Sequence, residues 1–314
     1  MILSSGRPAE GDGIHLGAEE LIALRARCHA LRLPMRQPAA SALAGAYRSR
    51  FRGRGVDFLE SRNYQPGDDI RNMDWRVTAR TGKAHTKVFQ EERERPVLVV
   101  LDASPTLYFG TRRRLKSVAA GQLAAAVAWS AVRRGDRIGG FLFAPGRHRE
   151  IRPAGGRRGA MRMIQGLVEW LQPEHSTDAA PEALSTALAR VRHTVRPGSL
   201  VIILSDFYGL DEACNRHLSR LRQHNDVIGC QVLDAAENRL PRGRYPITDG
   251  RRAAVLDTGH EGSRRRYETM IERHLEEPRR LFQRHSCGWM TLNADEDPVD
   301  VLGRELRVLV GRPV

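Results

Sequence analysis

Four polar side chains follow apolar runs of this chain in a pattern that suits a metal ion. Asp102, Ser104 and Thr106 come directly after one run of apolar residues, and Asp206 closely follows a second run. Carboxylate and hydroxyl oxygens are the ligands that a hard cation such as Mg²⁺ prefers. The sequence therefore predicts a divalent-cation site, provided that the two runs lie side by side. The alternative interpretation is that these residue types simply form good turns after strands.

The two apolar runs, residues 97–101 and 200–204, are typical of strands buried on both faces of a parallel sheet. Strands and helices alternate along the rest of the chain, which predicts an α/β fold with a mostly parallel, Rossmann-type sheet and helices on both faces. Ligands of such sheets bind beyond the carboxyl ends of the strands, where the strand order reverses. Further predicted elements are strands over 138–143, 227–233 and 287–292, an edge strand over 253–257, and a loop over 144–157. Helices are predicted to end near Arg133 and to span 160–171, 182–193, 211–224, 264–285 and 299–310.

Common catalytic motifs are absent from the sequence: it has no nucleophile elbow, no phosphate-binding P-loop and no H-E-x-x-H helix. The segment after residue 101 superficially resembles that of aspartyl-phosphate phosphatases, but Ser104 stands where their second aspartate is needed as general acid. A hydrolase that uses Asp102 and Asp206 to hold a water-activating Mg²⁺ stays open as an alternative. The main prediction is a binding module and not an enzyme.

Three consecutive arginines, Arg112, Arg113 and Arg114, are predicted to lie in the first turn of the helix that ends near Arg133. Cations in a first turn oppose the helix dipole at a cost of about 0.3–1 kcal/mol each. An acidic partner near the site would offset this cost, which makes these arginines candidate partner-binding residues. The alternative is an ordinary solvated surface.

Composition limits the remaining functions. The formal net charge of +14 is compatible with nucleic acid, an anionic membrane surface or an acidic protein partner. Only three of the 51 basic residues are lysines, the arginines are spread over the whole chain, and aromatic residues make up 6%, so no specific nucleic-acid interface is predicted. No apolar run approaches the roughly 18 residues of a membrane helix, and no signal peptide or paired cysteine spacing is visible. We expect a soluble cytoplasmic protein without membrane insertion.

The N-terminal third is polar and irregular in composition. A helix is predicted from Ala18 to Leu33 and a strand from His85 to Gln90. Between them, arginines and aspartates are interpreted as a network of ion pairs, with Trp75 as a packed anchor; a recognition surface is the alternative. The predicted domains are a disordered tail over 1–16, a segment packed on the sheet over 17–95, and the α/β domain over 96–314.

Two sets of motifs resemble known families. Asp-Ala-Ser-Pro-Thr over residues 102–106, with Ser-Asp after a later strand, resembles the metal-ion-dependent adhesion site of von Willebrand factor A domains. Their pattern is DxSxS followed by a threonine and an aspartate, and Thr106 keeps the hydroxyl of the last serine. The upstream segments 53–58, 64–71 and 74–82 resemble the bacterial Domain of Unknown Function 58 family, whose members carry a von Willebrand A-like domain. This resemblance covers roughly Tyr47 to the end of the chain.

The resemblance implies an ion, Mg²⁺ or else Mn²⁺ or Ca²⁺, held by Ser104 and Thr106 and, directly or through water, by Asp102 and Asp206. Such an ion offers an open position to an Asp or Glu of a protein partner. Thr177 is the best positional match to the remaining threonine of the pattern, but the preceding glycines are missing, and a capping or loop role stays open.

The family resemblance also implies a link to MoxR-type AAA+ ATPases, whose operons often carry such proteins. The expected partner is therefore such an ATPase or its client. The expected role is that of an adaptor in protein complex maturation or stress response.

Overall fold

In the computed structural model the chain divides into two compact units, one formed by residues 1–36 and 95–314 and the other by residues 37–94. We call them the α/β unit and the hairpin unit. The structure describes residues 11–31, 33–34, 56–66, 68–91, 95–173, 184–238, 240–248 and 253–310. The residues of the predicted N-terminal helix thus belong to the α/β unit, whereas the arginine- and aspartate-rich segment forms the hairpin unit.

The secondary structure alternates between strands and helices after residue 95, as the sequence predicts. The strands are β1 (Val56–Asn63), β2 (His85–Glu91), β3 (Pro96–Asp102), β4 (Arg137–Ala144), β5 (Arg147–Ala154), β6 (Leu200–Ser205), β7 (Asp226–Leu233), β8 (Arg244–Thr248), β9 (Ala253–Asp257) and β10 (Gly288–Asn293). The helices are α1 (Ala18–Ala23), α2 (Trp75–Thr81), α3 (Lys116–Arg133), α4 (Gly156–Trp170), α5 (Leu184–Thr194), α6 (Ala213–His224), α7 (Ala235–Asn238), α8 (Glu261–Arg284) and α9 (Pro298–Val310).

The sheet of the α/β unit has six strands in the order β10-β7-β6-β3-β4-β5, and all neighbouring pairs are parallel except β4 with β5. From β3 the chain passes through α3 to β4 on one side, whereas β6, β7 and β10 extend the sheet on the other side. The strand order therefore reverses between β3 and β6, which is the place where sheets of this kind bind ligands. This architecture confirms the predicted fold class.

Alternate residues of β3 pack on opposite faces of the sheet, as the pleat of a strand requires. Val97 and Val99 join a core with α3, α4 and α9, while Leu98 and Val100 join a second core with α5, α6 and the end of α8. The alanine-rich helix α3 is buried over most of its length. The apolar composition of β3 thus follows from burial on both sides. The change from apolar to polar residues at Asp102 marks the end of the strand.

Two predictions about the strands need correction. The loop predicted over 144–157 contains β5, which pairs antiparallel with β4 at the edge of the sheet. Ile151 is the one buried residue of β5, so the strand lacks the apolar pattern that reveals the central strands. Residues 253–257 do form a strand, but it pairs with β8 in a separate two-stranded ribbon and not with the edge of the main sheet.

The N-terminal residues of the α/β unit are more ordered and less helical than their composition predicts. The α-helix stops at Ala23 and short 3₁₀ turns continue to Ala30, although Cys28 is buried as the helical pattern predicts. Residues 11–16 fall in the predicted tail, yet Gly13 O accepts a hydrogen bond from Leu115 N at 2.8 Å and Leu16 is buried. The packed part of the chain therefore begins before residue 17.

The hairpin unit is built on β1 and β2, which pair antiparallel with one register shift. Asp74 caps the N-terminus of α2, because its carboxylate accepts a hydrogen bond from Val77 N at 3.2 Å. It also accepts from Ser61 Oγ at 2.6 Å, and the bonds from Ser61 and Val77 lower the pKa of Asp74. A bidentate ion pair joins Arg62 to Asp68 within this unit. Trp75 is not the packed anchor that we predicted, because 65% of it is exposed.

Candidate functional site

The two predicted carboxylates meet at the switch point of the sheet. β3 and β6 are hydrogen-bonded neighbours, and their register places Leu101 beside Leu204. Asp102 is the last residue of β3 and Asp206 follows the last residue of β6, so both stand at the carboxyl edge. They are 2% and 0% exposed. The structure thus brings together the two acidic residues that the sequence places 104 positions apart.

Asp102 is held by hydrogen bonds from the loop that follows β3 and from the last residue of β6. Its Oδ1 accepts from Ser104 N at 2.8 Å and its Oδ2 accepts from Ser205 Oγ at 2.7 Å. Burial and the nearby charge of Asp206 raise the pKa of Asp102 to about 7, although the hydrogen bonds from the Ser205 hydroxyl and the Ser104 amide oppose this shift. Asp102 is therefore a buried carboxyl group whose negative charge is poorly compensated by its surroundings.

Asp206 is positioned by an unusual turn. The next residue, Phe207, has a φ of +64°, a left-handed conformation that is uncommon for a bulky side chain. The turn returns Tyr208 N to Asp206 Oδ1 at 3.3 Å, while Phe207 N donates to Ser205 Oγ at 2.8 Å. The Phe207 ring is buried against Phe282, which holds the strained residue in place.

A lysine that the sequence analysis did not single out lies beside Asp206. Lys116, the first residue of α3, is 1% exposed, and its Nζ lies 3.0 Å from Asp206 Oδ2 and 2.7 Å from Glu237 Oε1. Burial lowers the pKa of Lys116, but the charges of Asp206 and Glu237 outweigh it and raise the pKa above its ordinary value. The side chain is therefore a buried ammonium with two carboxylate partners.

Glu237 lies close to the carboxyl end of β7, the strand beside β6. It lies in α7, directly after β7, and its Oε2 accepts from Asp234 N at 2.8 Å. Asp234 in turn accepts from Thr111 N at 2.9 Å and from the Thr111 hydroxyl. These bonds tie the β3–α3 loop to the end of β7, so three consecutive strands of the sheet contribute to one polar edge.

The hydroxyls predicted as ligands are present at this edge. Ser104 Oγ and Thr106 Oγ1 are buried and form no hydrogen bond with any part of the chain that the structure describes. A buried hydroxyl without a partner is costly. Thr177 lies outside the described residues. No three His, Cys, Asp or Glu side chains in the described ranges converge on a metal position, so a cation site here depends on hydroxyl ligands.

These features fit a divalent cation. Three carboxylates, those of Asp102, Asp206 and Glu237, share one ammonium, and within the described residues Asp102 forms no ion pair. A divalent ion beside Asp102 would neutralise the excess negative charge and would accept the lone pairs of Ser104 and Thr106. The ammonium of Lys116 is the feature that does not match the predicted ligand set, because it already occupies one oxygen of Asp206.

The arginines predicted as partner contacts do not lie in a helical turn. Helix α3 begins at Lys116 after an extended Leu115, because Leu115 N donates to Gly13 O instead of continuing a helix upstream. Arg112 and Arg113 are exposed in the preceding loop, and Arg112 Nη1 lies 3.2 Å from Asp295 Oδ2. Arg114 donates to Gln122 Oε1. The predicted conflict with the helix dipole is therefore wrong.

Together, the fold and the site define the class of the α/β unit. A mostly parallel sheet carries Asp-x-Ser-x-Thr after one strand and an aspartate after its neighbour, at the switch point. This is the arrangement of a von Willebrand A-like domain. The chain belongs to the family described as Protein of unknown function DUF58, which matches residues 60–277. The predicted family is thereby confirmed.

Relatives of similar sequence occur in mycobacteria. The chain is 30% identical over 218 residues to Uncharacterized protein Rv1480 of Mycobacterium tuberculosis, and the match covers 69% of this chain and 68% of the relative. Uncharacterized protein Mb1516 of Mycobacterium bovis matches with the same identity and coverage.

Three solved structures are similar to this chain at low sequence identity and low TM-score. The conserved hypothetical protein BatB from Bacteroides thetaiotaomicron is 13% identical, with 69% of this chain and 100% of that chain covered and a TM-score of 0.41. An aerotolerance-related membrane protein from Bacteroides fragilis is 11% identical, with 68% and 99% covered and a TM-score of 0.42. A von Willebrand factor type A structure from Catenulispora acidiphila is 13% identical, with 47% and 34% covered and a TM-score of 0.33. Among the helices that the structure describes in this chain, none combines the length and apolar character needed to cross a bilayer.

Proposed function

We propose that this protein is a divalent-cation-dependent protein-binding module. The observation that supports the proposal is the meeting of Asp102 and Asp206 at the switch point, with the buried hydroxyls of Ser104 and Thr106 beside them. Asp102, Ser104 and Thr106 would hold Mg²⁺, with Asp206 contributing directly or through water. When bound, the ion supplies an open position that a carboxylate oxygen of a partner can fill.

The geometry favours binding over the alternative of hydrolysis. Metal-assisted hydrolysis needs a bound water with a general base in reach. Among the carboxylates that the structure describes at this edge, Asp102 already accepts two hydrogen bonds, and Asp206 and Glu237 pair with Lys116, so none of the three is uncommitted. A Mg²⁺-dependent hydrolase that uses Asp102 and Asp206 remains the alternative, and turnover of phosphoester or peptide substrates that stops with Asp206→Ala would support it.

The partner is proposed from the family resemblance. A MoxR-type AAA+ ATPase or its client would present the acidic residue, and this protein would serve as an adaptor in complex maturation or stress response. Arg112, Arg113 and Arg114 remain proposed contacts for an acidic partner surface, since they belong to the loop that leads from the Asp102 edge into α3. A cytoplasmic location stays a prediction.

Metal binding is the first test of the proposal. Calorimetric titration of the full chain with MgCl₂ and with MnCl₂ should show saturable binding that Asp102→Ala abolishes. Asp300→Ala is the control, because the Asp300 side chain is 77% exposed and pairs only with Arg27 among the contacts described. Equal binding by wild type and Asp102→Ala would contradict the proposed site.

Partner capture is the second test. The purified MoxR-type ATPase of the same organism should bind the full chain in Mg²⁺, and binding should disappear in chelator and with Asp102→Ala. Binding that persists in chelator would overturn metal-dependent recognition, even if the two proteins are partners.

A further inference from the structure

Lys116 is a buried cation at the site for which the proposed function gives no role. Its ammonium contacts Asp206 and Glu237 at 3.0 and 2.7 Å and is sealed from solvent. Lysine is rare in this chain, where only three of 51 basic residues are lysines. Arginine has a wide, forked and always charged head group, whereas lysine presents a compact point charge. The position thus departs from the strong arginine bias of the chain and calls for a small cation.

The ammonium and a divalent ion compete for the same oxygens. Mg²⁺ binds carboxylate oxygens at about 2.0–2.1 Å, and the Lys116 Nζ lies at hydrogen-bond distance from Asp206 Oδ2. Two cations on one carboxylate repel each other strongly in a buried site, where screening by solvent is weak. Direct coordination of the ion by Asp206 Oδ2 therefore requires the ammonium to withdraw from that oxygen.

Two aromatic rings near the Lys116 ammonium provide a position to which it can move. Its Nζ lies 5.5 Å from the centroid of the Tyr208 ring and 5.9 Å from that of Phe109, and these two residues are 42% and 43% exposed. Aromatic faces attract a cation, and both of these residues reach solvent, so they offer the ammonium a position away from Asp206. The loop that carries Phe109 is tightly folded, because a Cβ on Gly110 would lie 2.5 Å from Arg114 O.

We propose that Lys116 and a divalent cation are alternative counter-ions of Asp206, so that Lys116 sets the affinity of the site for metal and leaves Asp206 when metal binds. The inference rests on the proposed function and adds a specificity-determining residue to it. With Lys116 in place, the fold is complete without metal, and the ion must displace an internal ammonium to bind fully.

A charge-matched variant shows whether the ammonium competes with metal for Asp206 or whether the net charge of the site alone determines metal affinity. Lys116→Met removes the ammonium but also makes the site more negative, which by itself attracts cations. Lys116→Met combined with Glu237→Gln removes one positive and one negative charge, so the net charge of the group stays as in wild type. Calorimetric titration with MgCl₂ and MnCl₂ should show that this double variant binds about tenfold more tightly than wild type, or better. Equal or weaker binding by the double variant overturns the proposal.

Labelling of the unmodified protein provides a second readout that does not depend on a variant folding. The chain has three lysines, and Lys83 and Lys87 are exposed, so they serve as internal controls. An amine-reactive acetylating reagent, read by peptide mass spectrometry, should modify Lys116 slowly without metal and several times faster in saturating MgCl₂. Unchanged labelling of Lys116 under conditions where calorimetry shows bound metal overturns the inference and leaves the proposed function standing. Absence of metal binding in wild type and in both variants overturns the two together.

Discussion

Ser205 Oγ donates a hydrogen bond of 2.7 Å to Asp102 Oδ2 and thereby joins the ends of β3 and β6 across the switch point. The same hydroxyl accepts from Phe207 N at 2.8 Å. Ser205 is 1% exposed, so neither bond can be replaced by bulk water. One serine therefore fixes both the predicted ligand Asp102 and the turn that follows Asp206.

Ser205→Ala should lower the free energy of unfolding by about 1–3 kcal/mol, because it leaves a buried carboxylate oxygen and a buried amide without their partner. Urea denaturation measures the change. Ser130→Ala is the matched control: Ser130 is buried in α3 and its hydroxyl donates to the Ala126 carbonyl of its own helix. We expect the control to lose less than about 1 kcal/mol; an equal loss in both variants would contradict a special role of Ser205.

The stability of the metal-free protein should depend on pH through Asp102. Its pKa is raised to about 7 in the folded protein, against about 3.9 in an unfolded chain. Between these values the folded state binds the extra proton, so the contribution of Asp102 to stability is present at low pH and is lost as the pH rises from about 4 to about 7. Asp102→Asn should remove this contribution.

The difference between wild type and Asp102→Asn isolates this effect from the other carboxylates. Urea denaturation at a series of pH values in chelator should show wild type losing stability relative to the variant as the pH rises. Added Mg²⁺ should reverse the loss in wild type only, since the ion binds the ionised carboxylate. A difference that stays constant with pH would show that Asp102 titrates normally.

Loss of the Lys116 charge should be costly. Lys116→Met leaves Asp206 and Glu237 buried without their counter-ion, and removing one partner of a buried ion pair costs on the order of 3–5 kcal/mol. Lys83→Met is the control, since Lys83 is exposed. Thermal denaturation in chelator compares the two, and a similar small change in both would show that the two ion pairs of Lys116 contribute little to stability.

The sequence predicts the carboxyl ends of the central strands better than it predicts the side chains that meet there. The apolar runs before Asp102 and Asp206 reveal two central strands because burial on both faces leaves no polar position. The ends of such strands are visible in the sequence, and the site residues follow from them. The edge strand β5 is missed because its exposed positions are polar (His148, Glu150 and Arg152) and Ile151 is its one buried residue.

Lys116 and Glu237 were beyond sequence reasoning because their meeting is purely tertiary. Lys116 follows three arginines and looks like a solvated residue, and Glu237 is 121 positions away. The one signal in the sequence is the lysine itself, which stands out in a chain that uses arginine almost everywhere else. Its partners depend on β6 and β7 lying side by side, and local pattern does not specify that pairing.

Two variants that both remove the Phe207 ring can test whether the left-handed turn after Asp206 is strained. Phe207 has a φ of +64°, and its ring packs on Phe282 and Trp289, so Phe207→Ala and Phe207→Gly should both destabilise the protein by about 3–5 kcal/mol. Glycine tolerates this φ and alanine does not, so Phe207→Gly should be the more stable of the two by about 1 kcal/mol. Urea denaturation decides it: the usual order, with alanine more stable than glycine, would show that the turn relaxes and that strain at Phe207 does not position Asp206.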